Sequence, residues 1–143
     1  MSRFWKRATT PEELNARLTS GPAEHFGIRI TAIEDDSLVA TMTVDTPHLQ
    51  PFGILHGGVS VVVSETLGSM ACFLTLPEGE ICVGLEINAN HLAQVRKGDT
   101  VTATCRPLHT GRRTQVWQTE IRRGDGKLAC VSRITCAVIE GKG

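Results

Sequence analysis

The hydrophobic pattern is not uniform along the chain. Between positions 58 and 76 nearly every residue is apolar or small, with no Pro, Lys or Arg. A segment that is apolar all round is expected to be a helix enclosed by other structure. Its length also approaches the roughly 20 apolar residues of a membrane span. Ser60, Ser64, Glu65, Thr66 and Ser69, and the lack of a basic flank, favour the buried central helix of a soluble domain. Upstream, Thr10-Pro11-Glu12-Glu13 has the form of a capping box with Pro at the first helical position. Leu14 and Leu18 share a face and Gly21 is placed to end the helix, which predicts a short amphipathic helix on the outside of the fold.

From Gly27 the period becomes two. Ile28, Ile30 and Ala32 alternate with Arg29, Thr31 and Ile33, residues 34–37 turn, and residues 38–44 return, so 27–44 reads as a hairpin. Residues 45–57 carry two Pro and two Gly and read as a loop. Past the turn at 77–80, strands are predicted at 81–93, 99–108, 113–122 and 128–139. Gly124-Asp125-Gly126-Lys127 is a hairpin turn, and the last four strands read as a meander. Many antiparallel strands and few helices indicate an α+β domain. About six strands and one apolar helix suggest a curved antiparallel sheet wrapped around that helix. A second copy of the chain is expected to cover its other side.

Composition narrows the function. The 143 residues fit one domain over 1–143, with residues 1–22 as an N-terminal segment bearing the short helix. The formal net charge is zero, which leaves no electrostatic footprint for nucleic acid, and the absence of Tyr argues against base-stacking platforms. The five Cys form no C-x-x-C and each sits in an apolar segment, so they read as small buried hydrophobes in a reducing compartment. The N-terminus lacks the apolar region of a signal peptide, which points to the cytoplasm. No H-E-x-x-H, Cys/His ligand cluster, G-x-G-x-x-G or P-loop occurs, so no metal and no cofactor is expected. Ser60 lacks the final Gly of a nucleophile elbow.

Two features carry candidate chemistry. Glu65 is an acid in the middle of the apolar helix, and ionised carboxylates are rarely buried without a partner or a task. Gly58, Val61, Val62, Ser69 and Cys72 share its face, and Ser69 is one turn away. A structural ion pair with Arg106 or Arg133 is the alternative. The second feature is the loop Gln50-Pro51-Phe52-Gly53-Ile54-Leu55-His56-Gly57-Gly58. Backbone N–H groups at a Gly-rich helix start suit an oxyanion, and His56 and Gln50 add donors; a plain Gly-rich turn is the alternative. Glu65 lies about 12 Å beyond Gly57 along one helix, too far for both to act on one carbonyl. Two helices packed antiparallel across a dimer would bring one chain's Glu65 beside the other's Gly57.

These segments, together with Val83-Gly84-Leu85-Glu86-Ile87-Asn88-Ala89-Asn90-His91 and His109-x-Gly111-x-x-x-Gln115-Val116-Trp117, resemble the hotdog-fold acyl-CoA thioesterases. Within them the likeness is to the subgroup of the dihydroxynaphthoyl-CoA and enterobactin-proofreading thioesterases. The resemblance implies a hotdog homodimer, commonly a dimer of dimers, that hydrolyses acyl-CoA or acyl-carrier-protein thioesters of aromatic or medium-chain acids, with coenzyme A as part of the substrate. It implies that Glu65 acts as nucleophile or general base, that the Gly57 N–H polarises the carbonyl, that Gln50 and His56 help to position the carbonyl or the water, and that Ser69 orients the water or Glu65. Phe52, Gly84, His91, His109, Thr110, Gly111, Arg112 and Arg113 would contact substrate or coenzyme A, with an Arg on phosphate. A hydroxyacyl-thioester dehydratase and a non-catalytic acyl-CoA binding module are the competing readings on this fold.

Overall fold

Thr10 caps the first helix as its sequence predicts. In the computed structural model, which describes residues 3–142, its hydroxyl accepts from the Glu13 N–H at 3.2 Å, while the Glu13 carboxylate accepts from the Thr10 N–H at 3.1 Å. A cap of this kind is worth about 1 kcal/mol. The helix, α1, runs Pro11–Arg17 and buries Leu14. Gly21 does not end it. Gly21 instead caps a further short helix, α2 (Pro22–His25), whose first position is Pro22, and the reversal before it passes through Ser20 at positive φ.

β1 (Arg29–Ile33) and β2 (Leu38–Thr43) form the expected hairpin, and the loop beyond them holds a 3-10 turn at Thr46–His48. The long apolar run becomes α3 (Gly57–Leu74). β3 (Glu80–His91), β4 (Thr100–Thr110), β5 (Thr114–Arg122) and β6 (Leu128–Glu140) follow. All strands join one six-stranded antiparallel sheet in the order β1-β2-β4-β5-β6-β3. The predicted four-strand meander is therefore corrected. β4, β5 and β6 are a meander, but β3 lies at the far edge against β6, and β4 pairs with β2 instead. Period-two patterning sets which residues form strands, whereas the neighbour of each strand is chosen by long-range packing.

α3 packs against β2 to β6 and occupies the concave centre of the core. It is long and apolar enough to cross a membrane by composition, yet half of it is buried inside this fold. Its sheet side is a stripe of small residues, Ser60, Ser64, Gly68, Ala71 and Cys72, all buried. Gly68 is required there: a Cβ at this position would overlap the Ile134 side chain of β6. At the helix C-terminus the Arg7 guanidinium donates to the carbonyls of Leu76, Pro77 and Glu80 at 3.0, 2.8 and 2.8 Å, and it lies 4.0 Å over the Phe73 ring. A cation there satisfies orphan carbonyls and complements the helix dipole. The N-terminal segment thus belongs to the core. Trp5 is buried, stacks on Trp117 at 6.0 Å and donates to the Glu34 carbonyl at 2.7 Å. Among the cysteines, Cys72, Cys105, Cys130 and Cys136 are buried as expected, but Cys82 is only half-buried.

Candidate active site

Glu65 sits midway along α3, half-buried, on the face it shares with Cys72, with its carboxylate turned towards β3. With Thr66, Ser69, Met70 and Phe73 of the same helix and Ile81 and Cys82 of β3, it lines a cavity of about 520 Å³. Arg17 at the end of α1, Leu18 in the turn after it and Ala23 of α2 complete the wall, so the segment expected outside the fold helps to enclose the acid. Gly84 faces the carboxylate so closely that a Cβ there would stand 2.7 Å from Oε1. The β3 ladder is also bulged between Gly84 and Glu86. Bulges re-aim strands beside functional sites.

Neither arginine considered as a partner reaches Glu65. Arg106 pairs with Glu34 at 3.9 Å and Asp36 at 3.8 Å on the exposed surface. Arg133 alternates with the buried Ser132 and Ile134 and is exposed, so it projects from the opposite face of the sheet. Among the described residues no ion pair includes Glu65. Burial raises its carboxyl above the usual 4.5, and the neighbouring Cys136 thiol adds a smaller push in the same direction. Ser69 makes no hydrogen bond to Glu65; its backbone carbonyl accepts from the Cys82 thiol at 3.4 Å.

The second cluster lies at the N-terminus of α3. His56 is the N-cap, and its Nδ1 accepts the Gly58 N–H at 2.8 Å. In the neutral ring that leaves the proton on Nε2, free to donate. Gly57 is the first residue of α3, where an N–H has no partner within the helix, and none is found elsewhere among the described residues. The His91 ring lies directly over Gly57: a Cβ there would meet Nε2 at 2.8 Å. Gln50, Gly57, Ser60 and His91 line a separate cavity of about 360 Å³.

The loop carrying this cluster is held by a residue that the sequence reading missed. His48 is buried, its Nδ1 accepts the Asp45 N–H at 2.7 Å and its Nε2 donates to the Phe26 carbonyl at 2.7 Å, while its own carbonyl accepts the His56 N–H at 2.8 Å. The cue was the Asp45-Thr46-Pro47-His48 capping pattern. Gln50 accepts the Phe52 N–H through Oε1, and Phe52 itself is 90% exposed and lines neither cavity.

The remaining candidates gather at the β4–β5 turn. Thr110, Gly111 and Arg112 line a third cavity with Arg3, Phe4 and Lys6. The His109 ring packs on Gly111, and Arg113 is exposed. A single chain therefore does not assemble one site. Glu65, Ser69 and Gly84 form one group, Gln50, His56, Gly57 and His91 a second, and residues 109–113 a third. Among the described residues no group of three or more His, Cys, Asp or Glu side chains is placed to hold a metal ion.

Residues 52–130 match the family model described as the Thioesterase superfamily. The "1,4-dihydroxy-2-naphthoyl-CoA hydrolase" of Escherichia coli K12 is 49% identical, over 95% of this chain and 99% of its own length. The "Proofreading thioesterase EntH" of Cronobacter turicensis is 48% identical, over 95% of this chain and 98% of its own. A crystal structure of a thioesterase from Haemophilus influenzae superimposes with a TM-score of 0.93 at 51% identity, covering 96% of this chain and 95% of that one.

Proposed function

This chain belongs to the thioesterase superfamily with the hotdog fold and is a thioester hydrolase, and on that premise we propose that it cleaves acyl-CoA thioesters of aromatic or medium-chain acids with Glu65 as the reacting carboxylate. The observation that carries this reading is the Glu65 carboxylate standing in no ion pair among the described residues, on the wall of a largely apolar cavity. A thioester carbonyl is electrophilic and a thiolate leaves readily. Hydrolysis then needs an activated oxygen and a donor for the developing oxyanion. Glu65 either removes a proton from the attacking water or attacks the carbonyl carbon itself. The Gly57 N–H, at the positive end of the helix dipole, receives the oxyanion. His56 Nε2–H and the Gln50 amide position the carbonyl or the water, and coenzyme A leaves as thiolate. No cofactor takes part, and five cysteines without a C-x-x-C support work in the reducing cytoplasm.

The complete site takes two copies of the chain. Gly57 and Glu65 are about 12 Å apart along α3 and line different cavities. β3 is an edge strand of 12 residues that exposes Val83 and Leu85. Long apolar edges are templates for pairing. A second β3 on that edge would let Glu65 of one chain meet the loop of residues 50–58 of the other.

The test is thiol release from benzoyl-CoA and from a medium-chain acyl-CoA. Glu65→Gln should lower turnover about 10²-fold or more, a loss typical of a general base. Equal turnover by the variant would remove Glu65 from the chemistry. Mixing an inactive Glu65 variant with an inactive His56 variant should restore part of the activity through mixed dimers. No recovery despite demonstrated subunit exchange would sink the two-chain site.

A further inference from the structure

Three of the five cysteines converge behind the Glu65 cavity, where the proposed hydrolysis makes no use of them. Cys82 stands on β3 and lines the cavity, and its Sγ is 3.4 Å from the Ser69 carbonyl. Cys136 of β6 lies opposite Gly84, two residues along β3 from Cys82, so both thiols face α3 from adjacent strands. Cys72 comes from α3 itself, three residues past Ser69. The strand register and the helix turn thus bring the three side chains to one place between α3, β3 and β6. Only Cys82 is reachable: it is half-buried, whereas Cys72 and Cys136 are 0% exposed.

We propose that Cys82 is a redox-active thiol in the wall of the Glu65 cavity, which takes hydrogen peroxide as oxidant and closes to an internal disulfide with Cys72 or Cys136.

The chemistry needs an accessible thiolate and a protonated thiol in reserve. Hydrogen bonds from Cys136 and Cys72, aided by the nearby Arg7 guanidinium, hold the Cys82 thiol below the usual range. Cys72 is pushed up, by its hydrogen bonds to Cys136 and Cys82 and by burial. Ionisation in the cluster therefore falls on its one accessible member, as in reactive cysteines generally. The Cys82 thiolate attacks the peroxide O–O bond, forming S–OH and releasing hydroxide. The second thiol's sulfur then attacks the Cys82 sulfur, the S–O bond breaks, and its proton and the departing hydroxide leave as water. Two thiols lose two electrons in all, and one peroxide becomes two waters.

The test uses the full-length, reduced protein and reads no hydrolysis, so it stands or falls apart from the proposed activity. A brief pulse of iodoacetamide should label Cys82 about tenfold or more faster than Cys105 and Cys130, which are buried outside the cluster. Stoichiometric peroxide should remove two free thiols, lower the intact mass by about 2 Da and be reversed by dithiothreitol, with the link mapped from Cys82 to Cys72 or Cys136. Cys82→Ser should abolish the thiol loss. Labelling of Cys82 no faster than the buried pair, or its arrest as sulfinic acid without a disulfide, would overturn the proposal, and both readouts are made on the wild-type chain.

Discussion

The two sides of α3 use small residues for opposite ends. Towards β5 and β6, Ser60, Ser64, Gly68 and Ala71 are buried and let the helix approach closely. Towards the cavity, Glu65, Thr66 and Ser69 are half-buried and leave space beside them. Packing on the first side is closed, so added volume is felt as strain. The second side has room, so added volume displaces a functional group instead. Stability and chemistry are therefore written on adjoining stripes of one helix, and substitutions should separate them.

The largest effect belongs to the cavity face. Glu65→Gln should remove activity about 10²-fold or more while leaving stability equal or slightly higher, because a desolvated carboxylate is replaced by a neutral amide. Urea unfolding of the variant checks the second half, and a clear loss of stability would break the division between the faces. Next comes a pair of glycines. Gly68→Ala forces a methyl into Ile134. It should destabilise by about 1–3 kcal/mol of overpacking, offset in part by about 1 kcal/mol of helix propensity. Gly84→Ala should do the reverse. Its Cβ would meet the flexible end of Glu65 at 2.7 Å, so hydrolysis should fall about tenfold with little change in unfolding midpoint.

A smaller effect concerns pH. Burial raises the Glu65 carboxyl, so kcat/KM should fall with acid through an inflection above the usual 4.5. Linkage gives the sign for stability. A folded-state pKa above the unfolded value means that the ionised acid disfavours folding. That penalty is complete above the raised folded pKa and is relieved as pH falls through it towards the unfolded value. The stability difference between wild type and Glu65→Gln should therefore narrow in acid, and a gap that widens instead would contradict the desolvated carboxylate. The smallest effect is expected at Arg106. Its exposed pairs with Glu34 and Asp36 should contribute less than about 1 kcal/mol. Arg106→Ala should also leave the pH profile of hydrolysis unmoved, and a shift would reinstate this arginine as an influence on Glu65.

The elements themselves were legible wherever a local rule applied. Thr10 and Glu13 close their capping box, the hairpin turns between Ile33 and Leu38, and the apolar run folds as α3. Misreadings arose where a residue had two local uses. Gly21 can follow one helix or cap the next, and Pro22 behind it favoured the latter. Trp5 gave no periodic signal because it enters the core from an irregular segment, by stacking on Trp117, more than a hundred residues away in sequence.

The chain's own order of residues determined its strands and helices, the acid inside the apolar helix, the Gly-rich helix start and the family to which it belongs, because caps, turns and periodicity act over a few neighbouring positions. Tertiary structure alone decided that β3 lies beside β6, that Arg106 and Arg133 do not reach Glu65, that Gly84 gives its carboxylate room and that three cysteines gather behind it. Each of those depends on which distant surfaces exclude water together, and such pairings are a property of the whole packed core, not of any stretch of sequence.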